Sequence, residues 1–107
     1  ELSKSFEQSA PLGLFKAYDL DSIDLENLSF TCSVNGELRQ EGNTRDMLFP
    51  IKSLIHTLSG WWTLRPGDII FTGTPAGVGP LKAGDRVDIE SSAIGQFSWG
   101  LFTSGKI

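Results

Sequence analysis

Cys32 is the only cysteine, so no intramolecular disulfide can form, and no Cys/His spacing suggests a zinc site. Histidine is as scarce. His56 stands alone, so neither a Ser/His/Asp nor a Cys/His catalytic set can be argued from the residue types present. No apolar run approaches the roughly 20 residues that would span a bilayer, and no signal peptide is visible. Basic runs are missing too, and the formal net charge is −4, so nucleic acid and anionic membrane surfaces are not expected partners. A cytoplasmic, reducing compartment is the default expectation. The sequon Asn27-Leu28-Ser29 would matter only in a secreted protein, and nothing else points there.

What remains is ordinary for a globular chain: 39% hydrophobic and 21% charged residues, which argues against both disorder and a membrane segment. At 107 residues the chain is long enough for one domain with a core. There are no repeats, low-complexity tracts or linker-like stretches. The first residue is Glu1, and the start of the chain reads as mid-domain.

Twelve glycines punctuate the chain, and most segments between them read as strands. Leu12 to Tyr18 is an expected strand, followed by an acidic, turn-rich stretch from Asp19 to Glu26. Leu28, Phe30, Cys32 and Val34 then alternate with Ser29, Thr31 and Ser33, the period of a half-buried strand. Asn35-Gly36 follows at once, a dipeptide suited to the positive φ of a type I′ turn, and Glu37 to Gln40 is expected to return as the partner strand.

A different period comes next. Ile51, Leu54, Ile55, Leu58 and Trp62 form one stripe of an amphipathic helix, with Lys52, Ser53, His56 and Thr57 on the opposite side. Pro50 suits the first helical position, Phe49 falls at the cap position, where it caps poorly, with Asp46 near enough to compensate, and Gly60 is the expected terminator. Pro66-Gly67-Asp68 then turns the chain into Ile69-Ile70-Phe71, read as a short buried strand. After a glycine-rich loop, Ala83-Gly84-Asp85 opens a strand from Arg86 to Glu90, and a last strand is expected over Gln96 to Thr103. The total is about six strands and one long helix: an α+β chain, mostly β, with a mixed but largely antiparallel sheet.

The loop Thr72-Gly73-Thr74-Pro75-Ala76-Gly77-Val78-Gly79 is the stretch most suited to chemistry. Consecutive N–H groups at glycines can form an anion-binding concavity, and a threonine hydroxyl at its mouth could donate to a carboxylate. No Gly-Lys-Ser/Thr follows, so it is not a Walker phosphate loop. By itself such a loop is more often plain punctuation between strands. Lys4 by itself reads as a solvated charge, His56 as a surface histidine, Cys32 as a small core hydrophobe and Trp61-Trp62 as packing residues.

Three ordered stretches carry a more specific signal. They are Lys4-Ser5-Phe6 followed by Ala10-Pro11-Leu12-Gly13; Val34-Asn35-Gly36-Glu37-Leu38-Arg39-Gln40 continuing through Asn43-Thr44-Arg45-Asp46-Met47 to Phe49-Pro50; and Pro66-Gly67-Asp68-Ile69-Ile70-Phe71 running on to Pro80. Together, from Lys4 to about Asp88, the chain resembles the C-terminal half of the fumarylacetoacetate hydrolase family. It looks closer to the short-chain branch of acylpyruvases, oxaloacetate decarboxylases or tautomerases and diene-dioate isomerases than to fumarylacetoacetases.

The resemblance implies a β-sheet roll for residues 1–107, forming the C-terminal part of one catalytic domain. It implies an enzyme acting on a small 2-oxo or β-diketo acid by C–C hydrolysis, decarboxylation or isomerisation. Such enzymes use Mg2+ (or Mn2+ or Ca2+) as a Lewis acid on a developing enolate. Lys4 matches the family's active-site lysine, an ammonium that would stabilise enolate or carboxylate charge. Thr74 matches the threonine that contacts the substrate carboxylate, with the N–H groups of Gly73 and Gly77 able to share that anion. The metal-ligating carboxylates, and the helix or lid with the family's His–Glu pair, are expected upstream of Glu1. No metal ligand is assigned within this chain, and the chain alone is expected to be inactive. Gln8 and Ala10 depart from residues of the fumarylacetoacetase branch and argue against that activity. A homodimer is expected. The alternative is a non-catalytic fragment or paralogue serving as a β-rich binding or dimerisation module.

Overall fold

The computed structural model describes residues 12–13, 15, 17–19 and 21–101. Four strands, β1 (Ser29–Val34), β2 (Glu37–Asn43), β3 (Arg86–Ser91) and β4 (Gly95–Gly100), form one sheet in the order β2-β1-β3-β4. Each neighbouring pair is antiparallel. A 3-10 turn (Thr44–Asp46) and one helix, α1 (Ile51–Trp61), separate β2 from β3. The α+β, mostly β reading holds, but the helix is 11 residues rather than long, and no parallel pairing occurs among the described residues.

The β1–β2 hairpin is the one its sequence dictates. Asn35 and Gly36 adopt φ of 53° and 81°, the left-handed pair that lets the strands twist without splaying. Alternation then sorts the sheet into two faces. Cys32 pairs with Ile89 and Ile89 with Phe97, while Val34 pairs with Val87 and Val87 with Trp99, so these rows make the apolar face. Thr31 opposite Glu90, and Ser33 in one row with Asp88 and Ser98, make the polar face.

Burial is thin. Leu28 (8% exposed) and Val34 (5%) are the buried apolar side chains among the described residues, joined by one carboxylate, Asp85 (6%). A buried carboxylate must be hydrogen-bonded. Asp85 Oδ1 accepts from Asn35 Nδ2 at 2.9 Å and Oδ2 accepts from the Lys82 N–H at 2.9 Å. These bonds, from the Lys82 amide first and the Asn35 amide second, hold its pKa below the ordinary aspartate value. Asn35 Oδ1 in turn accepts from the Arg86 N–H. The hairpin turn is thereby fastened to the start of β3.

Several sequence expectations are corrected. The described residues of Leu12–Tyr18 lie in no strand. That segment is tied by side chains instead: the Tyr18 hydroxyl donates to the Ile94 carbonyl, and Gly13 lies flat against the Phe97 and Trp99 rings. Ile69-Ile70-Phe71 is not a strand either, and Phe71 is 73% exposed. A strand needs a ladder partner, and this segment has none among the described residues. Sequence expectation gave about six strands; the described residues contain four. β2 runs past Gln40 to Asn43, β3 reaches Ser91, and β4 ends at Gly100.

At α1, Pro50 occupies the cap rather than the first turn, because its carbonyl accepts the first helical bond from the Leu54 N–H at 3.0 Å. Pro50 has no side chain to cap this end; Glu26 Oε1 accepts from the first-turn Lys52 N–H at 3.4 Å, and Asp46 lies in the preceding 3-10 turn. Gly60 does not terminate the helix. It continues to Trp61 and stops where Trp62 turns extended (φ −133°), shortly before Pro66. None of its residues is buried, so the apolar stripe is only partly covered within these residues. No helix among the described residues is long and apolar enough to cross a membrane.

Candidate active site

The site loop is held on the edge strand β2 by a local irregularity. Between Cys32 and Ser33 the β1–β2 register shifts: Cys32 faces Gln40 and Ser33 faces Leu38, leaving Arg39 as the extra residue of a bulge. In a regular strand, consecutive side chains go to opposite faces. Here Arg39 and Gln40 both reach the loop. Arg39 Nη1 donates to the Pro80 carbonyl at 3.0 Å, while Gln40 Nε2 donates to Thr74 Oγ1 at 2.8 Å and to the Pro75 carbonyl at 3.0 Å.

Gly77 seals the same contact. Its φ is 105°, and a Cβ there would sit 2.1 Å from the Arg39 carbonyl oxygen. Only glycine fits. Nearer the cavity, the Phe30 ring lies over Gly42, with Pro75 beside it.

The opposite wall is built by Asn43 and Thr44. Asn43 Oδ1 accepts from the Arg45 N–H at 2.9 Å and caps the 3-10 turn, while its Nδ2 donates to Asn27 Oδ1 and Ser29 Oγ. Thr44 Oγ1 accepts from the Leu28 N–H and donates to the Leu25 carbonyl, both at 2.8 Å. These bonds fix residues 43–47 in place before the chain enters α1.

Between the two walls lies a cavity of about 460 Å3, with Thr72, Gly73 and Thr74 on one side and Asn43, Asp46 and Met47 on the other. Phe30, Phe49 and Leu54 give it an apolar floor. Its volume is that of a small-molecule pocket. Glu41 and Asp46 bring negative charge to its edge, and no lysine or arginine is among the described residues lining it. No group of three or more His, Cys, Asp or Glu side chains among the described residues is placed to hold a metal ion. The described residues by themselves therefore do not fit a resident divalent ion.

Of the residues picked from the sequence, Gly73 and Thr74 face this cavity. Gly77 does not line it and lies instead against β2. Lys4, like Gln8 and Ala10, lies outside the described residues. His56 is exposed on α1, Cys32 is a half-buried free thiol, and Trp61 and Trp62 meet edge to face at 5.7 Å on the surface. Sequence reasoning missed Gln40 and Asp46 as parts of the site. Gln40 lies in a motif stretch, but only the bulge turns it toward Thr74.

An edge strand, a glycine-rich loop pinned to it and a pocket between them carrying Glu41 and Asp46 make up the candidate site. The family model described as fumarylacetoacetate (FAA) hydrolase C-terminal matches residues 1–99, and the chain belongs to that family. It is 44% identical over 89 residues to an oxaloacetate tautomerase of Escherichia coli, covering 83% of this chain and 41% of that protein. Among solved structures it resembles a maleylpyruvate hydrolase from Sphingobium sp. SYK-6, in complex with manganese(II) and pyruvate. That match has 43% identity and a TM-score of 0.73, over 77% of this chain and 31% of the other. It also resembles a 2-hydroxyhepta-2,4-diene-1,7-dioate isomerase from Mycobacterium marinum, with 38% identity and a TM-score of 0.74, over 78% and 33%. The chain spans less than half the length of the curated relatives it matches.

Proposed function

We propose that the whole protein is an enzyme acting on a small 2-oxo or β-diketo carboxylic acid, by tautomerisation, decarboxylation or C–C hydrolysis. In this reading the chain forms the C-terminal part of the catalytic domain and supplies the substrate's carboxylate cradle. The observation that carries it is that Thr74 and its neighbour Gly73 line the cavity in a chain of this family.

Thr74 donates to the carboxylate, with the Gly73 N–H group beside it; the proposed role of Gly77 is to share the anion or to keep the loop seated. The described lining carries Glu41 and Asp46 but no cation, so an acid substrate needs positive charge from elsewhere. Lys4 is the proposed source within this chain. A divalent ion, Mg2+ or the manganese seen with the maleylpyruvate hydrolase, is the proposed second source, with ligands outside this chain. A homodimer and a cytoplasmic location belong to the same reading, and exposed Trp61 and Trp62 are compatible with a partner surface.

The test is steady-state turnover of oxaloacetate, an acylpyruvate and a diene-dioate by the whole protein with Mg2+ or Mn2+. Lys4→Ala is expected to lower kcat/KM by about 10²–10³, the usual cost of one lost donor to a developing oxyanion, and Thr74→Ala to raise KM about 10-fold with kcat changed little. Full activity in Lys4→Ala would remove the role assigned to that residue.

A further inference from the structure

The contact between Gln40 and Thr74 has a direction. The Gln40 amide has two donors on nitrogen and one acceptor oxygen. Its nitrogen is identified by the Pro75 carbonyl 3.0 Å away, since a carbonyl can only accept; the flipped amide would set oxygen against oxygen. For the second donor Thr74 Oγ1 at 2.8 Å is the better acceptor than the Ala76 carbonyl at 3.5 Å. With a lone pair of that oxygen occupied, the Thr74 proton is free to point into the cavity, and among the described residues no acceptor takes it.

We propose that Gln40 is a positioning residue that sets the Thr74 hydroxyl as a hydrogen-bond donor toward a substrate carboxylate. The inference rests on the carboxylate-binding role of Thr74 given above. Gln40 acts from β2 because the Arg39 bulge turns it onto the loop, and Arg39 holds the loop's far end through Pro80. Residues 72–80 contain no ionisable side chain and the cross-strand partner is Cys32; among the described residues the charged groups to reckon with are Arg39 and Glu41 on the same strand and Asp46, which lines the same cavity.

The test compares Gln40→Glu and Gln40→Leu with wild type in the whole protein, reading KM and kcat for oxaloacetate and Kd for pyruvate between pH 5 and 8. At pH 8 the carboxylate introduced by Gln40→Glu would accept the Thr74 proton and turn the hydroxyl away from substrate. KM and Kd in Gln40→Glu are expected to rise at least about 10-fold, with kcat changed less than about 3-fold. As pH falls toward the ordinary glutamate pKa near 4.3, the protonated acid regains one donor in place of the amide's two, and the gap to wild type narrows without closing. Gln40→Leu, with no group to titrate, keeps a pH-independent and smaller defect. In a Thr74→Val background, with no hydroxyl to redirect, Gln40→Glu keeps only its repulsion from the Pro75 carbonyl and is expected to add a smaller defect than it causes beside Thr74.

Equal defects and identical pH profiles for Gln40→Glu and Gln40→Leu would overturn the proposal, since a merely structural role predicts that outcome. A Gln40→Glu protein matching wild type at every pH would overturn it alone. Should Gln40→Glu fail to fold, Gln40→Asn, whose donor falls one methylene short of Thr74, decides in its place. A raised Kd with unchanged thermal midpoint supports the role, and an unchanged Kd overturns it. A wild-type protein that neither turns over oxaloacetate nor binds pyruvate removes the carboxylate reading of Thr74, and the inference with it.

Discussion

At Gly77 two independent conditions meet: a φ of 105° and a space that ends 2.1 Å away at the Arg39 carbonyl. Gly73 meets only the first, with φ 89° and open space where a Cβ would go. Gly73→Ala is therefore expected to cost about 1–2 kcal/mol, the left-handed penalty alone. Gly77→Ala is expected to cost more and to detach the loop from β2, which urea unfolding and loss of amide protection over residues 74–80 would register. Asp85 and Asp88 make an argument of sign. Asp85 is held below the ordinary value by the Lys82 and Asn35 hydrogen bonds, and Asp88 by the Ser98 hydroxyl and then Arg86. A carboxylate whose folded pKa is depressed contributes stability above its unfolded pKa, about 4, and loses it as pH falls through the folded value. The urea midpoint gap between wild type and Asp85→Asn is thus expected to be widest near neutrality and to shrink below about pH 4.

Among the elements, the passage from β2 into the 3-10 turn does more to shape the pocket than the helix that follows. Thr44 bridges two backbone groups, the Leu25 carbonyl and the Leu28 N–H, and its own N–H donates to the Leu28 carbonyl. Thr44→Val keeps the side-chain shape but strands both hydroxyl partners. It is expected to cost about 1–3 kcal/mol and to speed hydrogen exchange at the Leu28 amide. Helix α1 contributes Leu54 to the pocket lining, yet its cap residue Pro50 makes no side-chain bond and none of its residues is buried. Its position depends on the segment before it.

At the scale of the chain, the described residues leave more apolar surface exposed than the sheet covers. Trp61 is 72% and Trp62 61% exposed, on a chain whose buried apolar side chains among the described residues are Leu28 and Val34. Acrylamide is therefore expected to quench most tryptophan emission of the 107-residue chain in its folded state, with Trp99, half-buried on β4, giving the protected fraction. A blue-shifted, protected spectrum from that chain alone would contradict this arrangement. In the whole protein, a protected Trp61–Trp62 pair would report a surface covered by further residues or by a partner.

Local chemistry settled much of this protein before any coordinates. The Asn35-Gly36 turn, the alternation of β1 and the 3.6-residue stripe of α1 from Ile51 to Leu58 are short-range effects, governed by backbone sterics and solvent, and lie where their residues put them; Trp62, the stripe's last expected member, is extended beyond the helix. Membership of the fumarylacetoacetate hydrolase family was legible because its motifs are ordered along the chain. Long-range geometry decided the rest. Ile69-Ile70-Phe71 has strand composition but no ladder partner, and Gly60 has a terminator's composition inside a helix that outruns it. Gln40 reads as an ordinary strand residue until a bulge one residue away aims it at Thr74, 34 positions downstream. A side chain's direction in a sheet depends on register, and register is a property of two strands together, which no single stretch of sequence contains.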